Sequence, residues 1–192
     1  MLAGMKRLAL GVLLAGCGGG DGSSAPDAPV SIDAPPGALA VSSTAFVDGA
    51  AIPVLYTCKD TTAGKDSSPP LVWINPPAAA QSFAVVLTDK SIGRVHWAIF
   101  DIPVAVHQLP LNIDKIYAPT AVAGAHQVSA QQGFNGYQGP CPPSQHTYEF
   151  AVYALDVAAL PGASMQSLAA ELVAPIQAHQ LATAKLTGTF TP

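Results

Sequence analysis

Residues 136–156, GYQGPCPPSQHTYEFAVYALD, carry the side chains best suited to binding a small polar ligand. The first part is rich in glycine and proline. Proline fixes φ and donates no N–H, whereas glycine permits turns that other residues resist. The second part alternates aromatic and β-branched residues from His146 onward, a pattern typical of a β-strand. His146 and Tyr148 are two residues apart on this strand and therefore point the same way. A stiff loop beside an imidazole and a phenol predicts a small polar pocket.

The elements that would position this pocket are short strands separated by turns. The pattern predicts strands at residues 39–46, 52–56, 71–74, 82–88, 95–102, 107–109 and 185–190, besides the strand from His146. In the strand at 95–102, the alternation predicts Val95, Trp97, Ile99 and Asp101 on one face, with His96, Ala98, Phe100 and Ile102 on the other.

The end of the chain carries the helical patterns. A helix is predicted at residues 165–173 with Ser164 as its N-cap, and a second helix starting at Pro175 and reaching about residue 184. Residues 112–135 show no period and are predicted to form a long loop. Many short strands with late helices predict a mainly β, antiparallel domain with helices at one end.

The composition excludes one class of function. The chain has 192 residues, a formal net charge of −4 and only 10% charged residues, with no run of lysine or arginine. Nucleic-acid binding needs a basic surface, so we expect no nucleic-acid partner. The length predicts one domain with a tail.

The first 17 residues have the pattern of a targeting segment. Lys6 and Arg7 precede a short apolar run, and residues 14–17, LAGC, resemble the bacterial lipobox, in which Cys17 is lipidated. The alternative is an ordinary secretory signal with a chance cysteine. Residues 18–38 are rich in glycine and proline and predict a disordered tether, leaving residues 39–192 as the folded domain. The pattern predicts an exported protein, lipid-anchored in the bacterial cell envelope at the periplasmic face or the outer membrane.

Two cysteines remain if Cys17 is lipidated. Cys58 and Cys141 would lie in an oxidising compartment, where a pair of cysteines can form a disulfide. A bond between them would close a loop of about 80 residues and stabilise the fold by roughly 2–4 kcal/mol. The alternative is two separate buried thiols.

Several motifs together resemble the phosphatidylethanolamine-binding protein (PEBP) family, in particular its bacterial branch described as Raf-kinase-inhibitor-like. They occur in the family's order between about residues 40 and 190. The matching pieces are YTC (56–58), SPPLVW (68–73), SFA (82–84), TD (88–89), HW (96–97) with IP (102–103), GY (136–137), GPCPP (139–143), His146, Tyr148 and ALD (154–156). The resemblance implies an antiparallel β-sandwich of PEBP type with peripheral C-terminal helices.

The resemblance also implies a site. It predicts a small anion pocket that binds the phosphate of phosphoethanolamine or a similar anion, without metal, cofactor or catalytic residue. The implied ligand-binding residues are Asp89, His96, Gly139, Pro142, His146 and Tyr148. A carboxylate repels phosphate, so Asp89 would orient a histidine, face the ammonium of a headgroup, or accept N–H groups in its turn.

The first pocket loop departs from the family pattern, Asp-Pro-Asp-Ala-Pro. Lys90 replaces the first proline and Ser91 replaces the second acid, which makes the mouth of the pocket less acidic. If Lys90 points inward, a more anionic ligand is tolerated; if it points outward, as is commoner for lysine, the change is neutral.

The sequence therefore predicts a non-enzymatic, membrane-tethered module that binds a small phosphorylated or anionic ligand. The first alternative is an inhibitor or regulatory partner of another protein, with residues 112–135 as the contact. A metal site or hydrolase is the second alternative, because Asp89, His96 and His146 have suitable side chains. No HExxH or GxSxG motif supports it. A homodimer is expected only by analogy with bacterial relatives.

Overall fold

Eight strands, one α-helix and one 3-10 turn form the part of the chain that the computed structural model describes, residues 37–60 and 66–192. The strands are β1 (Ala40–Ser42), β2 (Leu71–Ile74), β3 (Ser82–Asp89), β4 (Arg94–Pro103), β5 (Gln108–Leu109), β6 (His126–Ser129), β7 (His146–Leu155) and β8 (Gln180–Phe190). The 3-10 turn is Val54–Tyr56 and the helix, α1, is Ala169–Ala178.

The strands form two antiparallel sheets. The smaller sheet has the order β1-β2-β5 and the larger has the order β6-β4-β3-β7-β8. Strand β3 lies at the centre of the larger sheet, paired with β4 on one side and β7 on the other. The predicted fold class, a mainly β antiparallel sandwich, is confirmed.

The larger sheet is buried on both faces. One face packs against the smaller sheet through a core that includes Trp73, Phe83 and Phe150. The other face packs against α1 through a second core, to which the helix contributes Ala169, Leu172 and Ile176. Burial on both faces explains why β3 is an almost continuous apolar run rather than an alternating one.

The bounds predicted for two helices, residues 165–173 and 175–184, are wrong, because the helical residues are 169–178 and β8 already begins at Gln180. A single helix replaces them, and Pro175 lies inside it. Leu168, not Ser164, is the N-cap, and its N–H donates to the Glu171 carboxylate at 2.8 Å. Proline in a helix interior removes a hydrogen bond, but the apolar stripe of α1 continues to Ile176, beyond the proline. Tertiary packing of this stripe outweighs the local preference of Pro175 for the first turn of a helix.

Two predicted strands and the predicted long loop also differ from the structure. Residues 52–56 form no strand; the 3-10 turn follows Pro53, which is its N-cap. The strand predicted at 39–46 is reduced to β1. The predicted loop at 112–135 contains β6 and is organised by buried Gln127, whose side-chain amide accepts from Trp97 Nε1 and donates to the Asp114 and Ile116 carbonyls.

Strand β4 does not alternate strictly, contrary to the prediction. Thr88 pairs with Val95 and Leu87 pairs with Trp97, so His96 is an extra residue in a β-bulge. As a result, Val95 packs in the core beside α1, whereas Trp97 packs in the core between the sheets. Ile102 also lies in the core between the sheets, after a second irregularity in the same strand pair.

The predicted targeting segment, residues 1–17 with Cys17, and nearly all of the predicted tether lie outside the described residues. Within the described ranges, no helix is long and apolar enough to cross a membrane.

Candidate functional site

A cavity of about 390 Å³ lies at one edge of the larger sheet. Strand β3 ends there at Asp89, β4 begins there at Arg94, and β7 begins there at His146, because antiparallel neighbours place alternate ends at the same edge. The lining consists of Cys58, Asp66, Asp89, Ile92, Arg94, His96, Gln138, Gly139, Cys141, Pro142, Pro143, His146 and Tyr148. The structure thus brings together all six residues predicted for ligand binding.

Asp89 is the most buried charged group of the cavity, with 2% of its surface exposed. Its Oδ1 accepts the backbone N–H of Ser91 at 2.9 Å, and its Oδ2 accepts Nδ1–H of His146 at 2.7 Å. Both structural roles considered from the sequence therefore coexist: Asp89 shapes the turn and orients a histidine. The ring of His146 is held with Nδ1 toward the carboxylate, which leaves Nε2 as the nitrogen available to a ligand.

Tyr148 pairs directly with Asp89 across the two strands. Burial raises the pKa of the Tyr148 phenol, and the charge of Asp89 and its hydrogen bond raise this pKa further. The phenol therefore keeps its proton across the physiological range and donates it to Asp89.

His96 reaches the cavity through the bulge in β4. Its ring lies edge-on to the Tyr148 ring, with centroids 5.7 Å apart. The Nδ1–H of His96 donates to the Gln138 carbonyl at 3.1 Å, and its Nε2 is buried without a hydrogen-bond partner. Burial and the nearby charge of Arg94 lower the pKa of His96, while the Gln138 carbonyl and Asp89 partly oppose this shift.

The proline loop, residues 136–143, forms the opposite wall. A disulfide joins Cys58 to Cys141, as considered from the sequence, with 5.4 Å between their Cα atoms. Backbone and side-chain hydrogen bonds reinforce it: Cys58 N–H donates to the Pro140 carbonyl at 3.1 Å, and the Tyr137 hydroxyl donates to the Tyr56 carbonyl at 2.9 Å. The loop is therefore fixed to the segment around the 3-10 turn.

Gly139 has a specific steric role in this loop. Its N–H donates to Asp66 Oδ1 at 2.6 Å. A Cβ at this position would overlap both this carboxylate oxygen and the Tyr56 carbonyl. Glycine is therefore required by the close approach of two chain segments rather than by an unusual φ.

The sequence reasoning missed two charged residues of the cavity. Arg94 lies two residues before His96, and this spacing alone could have placed it on the same side of the strand. Asp66 comes from the loop before β2 and pairs with Lys115 at 3.7 Å. Burial raises the pKa of Asp66, opposed by the charge of Lys115. No local pattern marks Asp66, because its position depends on long-range contacts.

Lys90 takes the outward orientation, one of the two considered from the sequence. Its side chain is 49% exposed and its Nζ lies 3.5 Å from Glu149, outside the cavity lining. Ser91 instead ties the hairpin to β7, since its Oγ accepts the Thr147 N–H at 3.0 Å. The cation at the cavity is therefore Arg94, not Lys90.

The remaining histidines have structural partners. His126 pairs with Asp101 at 2.9 Å, His179 pairs with Asp156 at 2.8 Å, and His107 lies 3.1 Å from the Val104 carbonyl. In the described part of the chain, no group of three or more His, Cys, Asp or Glu side chains is arranged to hold a metal ion.

The protein is a small β-domain of two antiparallel sheets, with a polar cavity where β3 ends and β4 and β7 begin. Comparison with known proteins identifies the family that has this fold. The sequence model described as "Phosphatidylethanolamine-binding protein" matches residues 42–191. The chain belongs to this family, which confirms the resemblance drawn from its motifs.

Two relatives by sequence illustrate the range of the family. A Mycobacterium tuberculosis (strain H37Rv) protein, LppC, whose name marks it as a candidate lipoprotein, is 37% identical over 199 residues, covering 95% of this chain and 92% of LppC. A UPF0098 protein of Aquifex aeolicus is 36% identical over 152 residues, covering 73% of this chain and 85% of that protein.

A solved structure gives the same relationship. The crystal structure of Escherichia coli YbcL, described as a new member of the mammalian PEBP family, superposes with a TM-score of 0.65 at 28% identity. It covers 79% of this chain and 97% of YbcL. The fold and the family are therefore established by independent comparisons.

Proposed function

We propose that this protein binds a small phosphorylated ligand, of the phosphoethanolamine type, in the cavity at the strand edge, without catalysing a reaction. The observation that carries the proposal is a cation and an unpartnered nitrogen that line the same cavity. Arg94 supplies a guanidinium that donates hydrogen bonds, and Nε2 of His96, buried without a partner, can donate once it is protonated. Phosphate oxygens accept hydrogen bonds from such groups.

The two carboxylates in the lining fit the rest of the ligand. Asp66 and Asp89 would repel a bare phosphate, but they complement an ammonium group. Asp89 accepts the Ser91 N–H and the His146 Nδ1–H, whereas Asp66 accepts the Gly139 N–H, pairs with Lys115 at 3.7 Å and keeps 20% of its side chain exposed. A zwitterion would place its phosphate near Arg94 and its ammonium at the exposed part of Asp66. This division supports an ethanolamine phosphate over an inorganic anion.

Replacing Arg94 tests the proposal. Isothermal titration calorimetry with phosphoethanolamine should show binding to the wild type, and Arg94→Gln should weaken it at least about tenfold because a charge-assisted hydrogen bond is lost. Lys90→Gln is the matched control, since it removes a positive charge from the same hairpin but outside the cavity. Its affinity should stay within about twofold of the wild type. Equal losses in both variants, or no binding to the wild type at millimolar ligand, would refute the proposed site.

We also propose that the domain is tethered to the cell envelope through a lipid on Cys17. The LAGC sequence at residues 14–17 and the similarity to LppC over nearly the whole chain support this. The tether would keep the cavity close to phospholipid headgroups.

Cys17→Ser is expected to move the protein from the membrane fraction to the soluble fraction of lysed cells, because a thioether to diacylglycerol can no longer form. Incorporation of labelled fatty acid into the wild type and not into the variant is the accompanying measurement. A wild type that carries no label would contradict the lipid anchor, whereas the binding proposal would be unaffected.

A further inference from the structure

Two side-chain atoms of the cavity lining lack the partner that their burial demands, Oε1 of Gln138 and Nε2 of His96, and only the second belongs to a ring that can take up a proton. His96 is 7% exposed, and its Nδ1 faces the Gln138 carbonyl, which can only accept a hydrogen bond. Nδ1 therefore carries the hydrogen, and the neutral ring presents a bare lone pair at Nε2. That atom is buried and has no hydrogen-bond partner. Buried polar atoms are nearly always paired, so an unpaired one in a binding cavity indicates a missing partner.

Several charged or titratable groups surround His96. They are Arg94 on its own strand, Asp89 on β3, His146 and Tyr148 on β7, and Asp66 from the loop before β2. Burial and Arg94 keep the ring neutral at neutral pH, and the Gln138 carbonyl, Asp89 and the Gly139 backbone only partly offset them. Tyr148 holds its proton and adds no charge. In the absence of an anion, these groups thus disfavour a second positive charge beside Arg94.

An oxyanion in the cavity would reverse this balance. Its negative charge would offset Arg94, and its oxygen would provide the acceptor that an Nε2–H needs. Both effects favour the imidazolium form of His96.

We propose that the oxyanion and one proton enter the cavity together, with the proton held on Nε2 of His96. The proton comes from solvent and adds to the Nε2 lone pair, so one N–H bond forms and the ligand stays chemically unchanged. This inference rests on the proposed function and adds a regulatory property to it.

The consequence is that affinity depends on pH. The pKa of His96 lies below its usual value in the protein without ligand and would be raised in the complex. At pH values between these two pKa values, affinity should fall as pH rises. The slope approaches about tenfold per pH unit when one full proton is taken up. The site would therefore hold its ligand more tightly in a mildly acidic compartment.

Calorimetry of the full chain with phosphoethanolamine at about pH 7.5 tests this directly. At that pH a phosphate monoester, with a second pKa of about 6, is already doubly ionised. Titrations in two buffers of different ionisation enthalpy give the number of protons taken up. The expected value for the wild type is close to one.

Two variants separate the proton from the hydrogen bond. His96→Gln places a permanent amide N–H near the position of Nε2, so it should bind with no proton uptake and no corresponding pH slope. His96→Asn keeps a donor for the Gln138 carbonyl but nothing at Nε2, so it should lose about tenfold or more in affinity.

The outcomes are distinct. No binding to the wild type at any pH between about 5.5 and 8.5 would reject the proposed function itself. Binding without proton uptake, or equal uptake in the wild type and in His96→Gln, would overturn the proton linkage. Should His96→Gln fail to fold, nitrogen NMR of the wild type decides: Nε2 of His96 must shift to the imidazolium range when ligand is added. A shift that stays in the neutral range would overturn the inference.

Discussion

Asp89→Ala is expected to abolish phosphoethanolamine binding and to lower the free energy of unfolding by about 2–4 kcal/mol. The carboxylate is buried and accepts from the Ser91 N–H and from His146 Nδ1. Its loss leaves these donors unpaired inside the protein and frees the His146 ring from its orientation. Chemical denaturation measures the stability, and calorimetry measures the binding.

A second Asp–His pair provides the matched control. Asp156 Oδ1 accepts from His179 Nδ1 at 2.8 Å, nearly the same geometry, but the two side chains are 50% and 32% exposed. Because water replaces the lost partner at an exposed site, Asp156→Ala should cost no more than about 1 kcal/mol and leave binding intact. If the two variants lost equal stability, or if Asp89→Ala still bound ligand with wild-type affinity, the role given to Asp89 would be wrong.

Removing the disulfide is also expected to have a large effect on stability. Replacing both Cys58 and Cys141 with alanine is expected to lower the free energy of unfolding by about 2–4 kcal/mol, because a crosslink spanning 83 residues restricts the unfolded chain. Both cysteines also line the cavity. The proline loop would then be held by hydrogen bonds alone, and phosphoethanolamine should bind more weakly.

Reductant supplies the control for this prediction. It should destabilise the wild type toward the level of the double variant and leave the double variant unchanged. Two free thiols in the unfolded, unreduced and delipidated wild type would show that the bond is absent. An unfolding midpoint in denaturant that is identical in the wild type and the double variant would contradict the stabilising role.

Residues with strong local signals were predictable from the sequence. Strand β7 begins at His146, as predicted, and its alternation is observed: Tyr148, Phe150 and Val152 face the core between the sheets. Residues 71–74 form β2 with the predicted bounds. In both cases a proline-rich stretch precedes a clear β pattern, so the local preference and the tertiary packing agree.

Other features depend on contacts that the sequence does not display. Pro175 suggested a helix start, yet packing of Ile176 carries α1 past it. The bulge at His96 reflects a register shift between β3 and β4, which only the paired strands define. Asp66 reaches the cavity from a distant loop. Arg94 follows the alternation of the strand, two residues before His96, but it belongs to none of the family motifs.

The central claim is that the cavity at the strand edge binds a phosphate group next to His96. The most direct measurement is a crystal structure of the protein soaked with phosphoethanolamine. We expect a phosphate oxygen at hydrogen-bond distance, about 2.7–3.1 Å, from His96 Nε2, with Arg94 on the same phosphate. Phosphate density elsewhere on the molecule, with the cavity filled only by water at saturating ligand, would contradict the account.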